Sequence, residues 1–215
     1  SRKEFIAKVD YATEGQTYTL RTEIIADILH QFLPQDYRKA LIILKQIFGP
    51  ENPNETGMFT HFYWMMPIGK FVQKYGLDNV ELSLDAISEI TKRNTGEYAI
   101  RPYVRKYPKE TLKRMTQWAK SDSFHLRRLA SEGLRPKLPW APKLDLFIDN
   151  PKPVFAILEL LKEDKVKFVQ KSVANHLTDY LKVNPEPTRV LIDAWKGSDN
   201  KNTLWIIKHA TRKIQ

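Results

Sequence analysis

The sequence has no cysteine among its 215 residues, which excludes disulfides, thiolate zinc sites and a cysteine nucleophile together. A reducing, cytoplasmic setting is expected. Long hydrophobic runs are missing too. Stretches such as residues 40–47, Ala-Leu-Ile-Ile-Leu-Lys-Gln-Ile, are interrupted by polar side chains and fall far below the roughly 20 residues that span a bilayer. Glycine is scarce, with 8 residues, and no Gly- or Ser-rich linker or low-complexity segment divides the chain, so one domain over residues 1–215 is expected. The 5 histidines show no metal-ligand spacing, and no hydride or phosphoryl cofactor motif occurs; neither metal nor cofactor is expected. The chain opens Ser-Arg-Lys-Glu, without methionine or an apolar leader, which reads as a trimmed start rather than a signal peptide.

What the sequence does have is positive charge in one place. The formal net charge is +10 and the pI about 9.6. Between Lys92 and Lys143, 14 basic residues face 4 acidic ones, while the rest of the chain balances at 21 against 21. So concentrated a field suits a polyanion, because neutralising phosphates releases condensed counterions. The same charge would also serve as a solvated, solubilising surface. Hydrophobic residues make up 42%, enough for one substantial core.

Helical spacing recurs in Ile24, Ile25, Ile28, Leu29 and Phe32, in Leu41, Leu44 and Phe48, and in Leu82, Leu84, Ile87 and Ile90, whereas strand alternation is scarce. Prolines at 34, 50, 53, 108, 136, 139, 142, 151, 153, 185 and 187 fall mostly between such segments, where they end or start helices. In the second half Trp118-Ala-Lys-Ser-Asp122, Leu160-Leu-Lys-Glu-Asp164 and Trp195-Lys-Gly-Ser-Asp199 repeat one another at offsets of 42 and 35. Each block predicts a helix, a short polar turn with Asp and a second amphipathic helix. That is the helix-pair unit of HEAT-like arrays, so the expected fold is all-α, an α-solenoid with a concave basic groove. An irregular helical domain is the plainer alternative.

On a helix over Val166–Lys182, Val166, Val169, Val173, Leu177 and Tyr180 share a core side, and Phe168, Lys171, Ser172, Asn175 and Asp179 lie opposite. The repeat alignment adds His125, Arg128 and Glu132 to that polar stripe and, further on, Trp205, His209 and Lys213. Glu132-Gly133 looks like a helix C-terminus, where the macrodipole disfavours an anion by about 0.3–1 kcal/mol. Such a local violation points to function, against the alternative of an i, i+4 pair with Arg128. Asp179 has its own structural alternative, a pair with Lys171 or Lys182.

Three stretches carry a resemblance: Ser123-Phe-His-Leu-Arg-Arg-Leu-Ala-Ser-Glu-Gly-Leu-Arg-Pro-Lys-Leu-Pro-Trp-Ala141, Thr95-Gly-Glu-Tyr-Ala-Ile-Arg-Pro-Tyr103 and Lys171-Ser-Val-Ala-Asn-His-Leu-Thr-Asp179. From about Leu20 onward the chain resembles the AlkC branch of the AlkC/AlkD DNA alkylation-repair glycosylases. The resemblance implies HEAT-like helix pairs and hydrolysis of the N-glycosidic bond of cationic alkylated bases (3-methylcytosine, 1-methyladenine, 3-methyladenine) in double-stranded DNA, by a monomer in the bacterial cytosol or nucleoid. It places the acidic groove residues on Glu132 and Asp179, with Glu97 in support, and an active-site aromatic on Trp140. Arg101, Arg127, Arg128 and Arg135 belong to the same stretches and suit phosphate contacts, and Lys171 and Trp205 on the polar stripe are further candidates for binding substrate or DNA. A base that already carries positive charge leaves without protonation, so the carboxylates would stabilise the deoxyribosyl cation and orient water. A HEAT-like protein that binds nucleic acid without chemistry shares the basic charge, and a helical scaffold for a protein partner is a third reading. The carboxylates discriminate, since acids in a phosphate-binding groove weaken binding unless they act on a cation.

Overall fold

Pro108 and Pro185 each open a helix at its first residue, and Pro153 stands in the first turn of another. Their missing N–H groups cost nothing there and their fixed φ suits the helix. Thr17 and Asp36 cap further helices by accepting the N–H groups of Leu20 (3.5 Å) and Lys39 (3.1 Å). The computed structural model describes residues 1–57 and 62–212. Among them it has twelve helices and no strand, as the period of the hydrophobic pattern predicts.

The helices form two compact units, Ser1–Pro102 and Tyr103–Gln215. The first contains α1 (Arg2–Thr13), α2 (Tyr18–Phe32), α3 (Tyr37–Lys45), α4 (Met65–Tyr75) and α5 (Val80–Thr91), and the division falls inside the short α6 (Arg101–Lys106). The three apolar clusters read from the sequence fall on α2, on α3 with Phe48 beyond its end, and on α5. Ile28, Leu41, Leu44, Phe71, Leu84, Ile87 and Ile90 are buried in this unit. Lys74 on α4 bridges Glu23 and Asp27 on α2, at 3.2 and 2.6 Å.

The second unit contains α7 (Pro108–Trp118), α8 (Phe124–Glu132), α9 (Lys152–Leu161), α10 (Lys167–Val183), α11 (Pro185–Lys196) and α12 (Lys201–Thr211). The sequence repeat is realised as the pairs α7–α8, α9–α10 and α11–α12. Its three turns are fastened alike, by a side-chain oxygen accepting the N–H two residues on: Ser121 from Ser123 (3.2 Å), Asp164 from Val166 (2.9 Å) and Ser198 from Asn200 (3.1 Å). Val169, Val173, Leu177 and Tyr180 are buried on α10, which is the core side expected. The opposite side is not the solvated face a single amphipathic helix presents. α10 packs against both α8 and α12, so Ser172 and Asp179 are 2% and 7% exposed, and on α8 His125 and Glu132 are buried with them. Lys171 remains exposed.

Candidate active site

Glu132 is the last residue of α8, with Gly133 as C-cap, as the Glu-Gly dipeptide predicts. The chain keeps helical hydrogen bonding for one more turn, Leu134 N–H to Ser131 O (3.2 Å) and Arg135 N–H to Glu132 O (3.3 Å). Arg135 therefore comes back beside Glu132. Its Nη1 donates to Glu132 Oε1 at 2.6 Å and its Nε to Asp179 Oδ2, from α10, at 2.9 Å. Ser172 Oγ donates to Glu132 Oε2 at 2.6 Å. Arg128 Nη2 stands 3.7 Å from Glu132 Oε1 while its guanidinium lies over the Phe168 ring at 4.5 Å. Beneath this cluster His176 is fully buried, its Nδ1 within 3.4 Å of Ser131 Oγ and its ring stacked on Tyr180 at 5.4 Å.

Burial pushes the Glu132 carboxyl up, but the charges of Arg128 and Arg135 and the hydrogen bonds from Ser172 and Arg135 outweigh it and hold the group below the usual glutamate range. Asp179 goes the other way. Burial raises it, and the neighbouring Glu132 charge adds to that against the opposing pull of Arg135. His176 is depressed to about 3 by burial and by the Arg135 charge, so its imidazole is neutral. The result is two carboxylates from different helices, nearly buried and bonded to one guanidinium.

The structure sorts the other sequence candidates. Arg127 is held in place: Nε and Nη2 donate to Asp164 at 2.6 and 3.3 Å, and Nη1 donates to the Ser121 and Asp122 carbonyls at 2.9 and 2.8 Å. Trp205 carries Lys167 over its ring at 3.4 Å and stacks on His209 at 4.6 Å; Lys213, expected beside them, lies outside the described residues. Trp140 is 78% exposed in the connection from α8 to α9, at a φ of 58°. Glu97 and Arg101 belong to the first unit and are each 4% exposed. The structural alternative for Asp179, a pair with Lys171 or Lys182, is not what forms. Its partner Arg135 is 44 residues away. Ser172 and His176 were visible in the sequence only as positions on a helix. The i+3 spacing of Arg135 from Glu132 was the available signal, and it needs the extra helical turn after Gly133. No group of three or more His, Asp and Glu side chains able to hold a metal is gathered among the described residues. An open depression lined by Lys165, Asp199, Asn200, Lys201 and Asn202 shares no residue with the cluster.

Stacked helix pairs with a buried acid–arginine cluster between second helices define the class of protein, an all-helical repeat with a built polar site. A model described as DNA alkylation repair enzyme matches residues 73–214, and the chain belongs to that family. It is 37% identical over 186 residues to the uncharacterized protein YhaZ of Bacillus subtilis (strain 168), a match covering 86% of this chain and 49% of that one. The structure of Pseudomonas fluorescens alkylpurine DNA glycosylase AlkC bound to DNA containing an abasic site analog is similar, with a TM-score of 0.86 and 31% identity over 99% of this chain and 57% of that chain. The chain thus spans about half the length of these relatives. AlkD2 from Streptococcus mutans shares the fold at a TM-score of 0.69 and 23% identity, over 99% of this chain and 98% of its own.

Proposed function

We propose that this chain is a DNA glycosylase that hydrolyses the N-glycosidic bond of bases made cationic by alkylation. The observation that carries the reading is the Glu132–Asp179 pair, two nearly buried acids kept together in a chain of net charge +10. Acids at a phosphate-binding surface weaken binding unless they act on a cation. A cationic base leaves as a neutral molecule, so the step needs no general acid, and the charge to be stabilised sits on the deoxyribose. Fixed carboxylates near C1′ stabilise that oxocarbenium-like charge as it develops and orient the attacking water. Similarity to an alkylpurine glycosylase supports 3-methyladenine as the first lesion to examine, with 1-methyladenine and 3-methylcytosine next.

In this reading Trp140 supplies the aromatic surface. A tryptophan with positive φ is an uncommon backbone, and here it holds a largely exposed ring outward. Stacking on a cationic base is worth about 0.5–2 kcal/mol. Arg128, Lys171 and Trp205 are assigned to the DNA, whereas Arg101 and Glu97, each 4% exposed within the first unit, are too buried to face a phosphate and are given no part in the reaction. Arg127 is assigned to holding adjacent repeats together. The test is incubation with duplex DNA carrying one 3-methyladenine, scored for free base and for alkali-labile abasic sites. Release supports the glycosylase. Binding without release, at saturating protein and for all three lesions, moves the assignment to a helical-repeat protein that binds nucleic acid without chemistry.

A further inference from the structure

We infer that Arg135 is the positioning residue of this site: its guanidinium joins one carboxylate from the end of α8 to one from α10 and presents the two as a single anionic pair. The inference rests on the glycosylase reading and names the residue on which its two carboxylates depend. The geometry is specific. Nη1 bonds Glu132 at 2.6 Å and Nε bonds Asp179 at 2.9 Å, so the directions of both acids are set by one planar group. Lysine offers the charge without that fork.

The need for such a group follows from burial. The side chains of Glu132, Asp179 and Arg135 are 8%, 10% and 10% exposed, where water screens little. Two carboxylates brought together there repel, and one takes a proton unless a cation lies between them. The other groups facing the pair do not fill this part. Arg128 on α8 reaches Glu132 alone, at 3.7 Å. Lys182 on α10 acts on Asp179 through its charge without a bond to it, and His176 on α10 is neutral. Ser172 gives one neutral hydrogen bond, to Glu132. Among the described residues Arg135 is the one cation bonded to both acids. Two carboxylates and their shared guanidinium carry one net negative charge, which Arg128, 3.7 Å from Glu132, offsets until it turns to the DNA it is assigned to. Arg135 also answers the anion at the end of α8, because a cation just past a helix C-terminus interacts favourably with its dipole.

The test combines single-turnover base release from 3-methyladenine DNA between pH 5 and 9 with 13C NMR titration of the Asp and Glu carboxyls. Wild type is compared with Arg135→Gln and Arg135→Lys, and folding is checked by circular dichroism. In Arg135→Gln the acid limb of the rate profile is expected to move up by about two units, so that the loss of release grows as pH falls, approaching about 100-fold below both limbs, and release recovers toward pH 9. One carboxyl should titrate correspondingly higher. Arg135→Lys should return the limb to within about one unit of wild type, at a lower plateau. Loss by the same factor at every pH, with carboxyl titrations unmoved, overturns the inference and leaves Arg135 a structural residue. Should Arg135→Gln not fold, Arg135→Lys decides by the same two readouts, a displaced limb and titration against a uniform fall. Wild type that releases no base removes the glycosylase reading, and the carboxyl titration alone then judges Arg135.

Discussion

Trp140 combines a left-handed backbone with an exposed indole, at a φ of 58° and 78% exposure. An L-residue in that region costs roughly 1–2 kcal/mol, and glycine is free of the penalty. Trp140→Gly is therefore expected to leave the melting temperature unchanged or raised while slowing base release; a clear drop in melting temperature would show that the ring is needed for the fold. His176 gives a prediction in pH. Its folded value lies near 3, below the ordinary 6.5, so as pH falls from 6.5 toward 3 the unfolded chain binds a proton that the folded chain refuses. Stability from this group is complete above pH 6.5 and declines below it by about 1.4 kcal/mol per unit. Urea unfolding at pH 7 and pH 5 should show wild type losing about 2 kcal/mol more than His176→Gln over that interval; equal losses would mean that the imidazole is not held neutral. Glu132 and Asp179 were legible in the sequence because one violated a helix-end rule and both fell in stretches resembling known glycosylases. The partnership of Arg135 was not legible, since periodicity stops at Gly133 and no pattern says that the backbone stays helical beyond it.

Between elements, the clamp from Arg127 on α8 to Asp164 in the turn before α10 is the clearest case of a residue whose sequence reading changed. Arg127 looked like a phosphate contact because arginine in a basic stretch suits one. The structure uses it between repeats, with the Asp164 side chain 4% exposed and that of Arg127 19%. Breaking a pair of this kind leaves a charge with little water around it and costs about 3 kcal/mol. Arg127→Ala should thus lower stability by about that amount and leave the salt dependence of DNA binding unchanged. Lys171→Ala, at an exposed position, should spare stability and reduce the slope of log K against log salt by about 0.9. The reverse pattern would return Arg127 to the DNA. The helices and their pairing were readable from 3.6-residue periodicity, proline placement and the Asp-containing turns. Which polar positions on α10 are buried was not, because that depends on α8 and α12 packing on its flanks, information no single helix carries.

For the whole chain, a division that falls inside α6 rather than in a flexible linker leads us to propose one cooperative folding domain over residues 1–215. Tryptophan fluorescence comes chiefly from the second unit, which holds Trp118, Trp140, Trp195 and Trp205, with Trp64 in the first, whereas circular dichroism reports helices of both units. The two probes should give coincident urea transitions; separate midpoints would mean two domains. The positive charge that first suggested a polyanion lies between Lys92 and Lys143, and it does not separate a binder from an enzyme. The paired acids do. The most direct measurement is base release from duplex DNA carrying one 3-methyladenine, by wild type and by Glu132→Gln and Asp179→Asn, with DNA affinity measured alongside. These variants remove charge with little change in volume. The account predicts release by wild type, a fall of about 100-fold or more in each variant, an effect of the size seen when charge stabilisation at a transition state is removed, and DNA affinity equal or slightly increased. Release that survives both substitutions would contradict it.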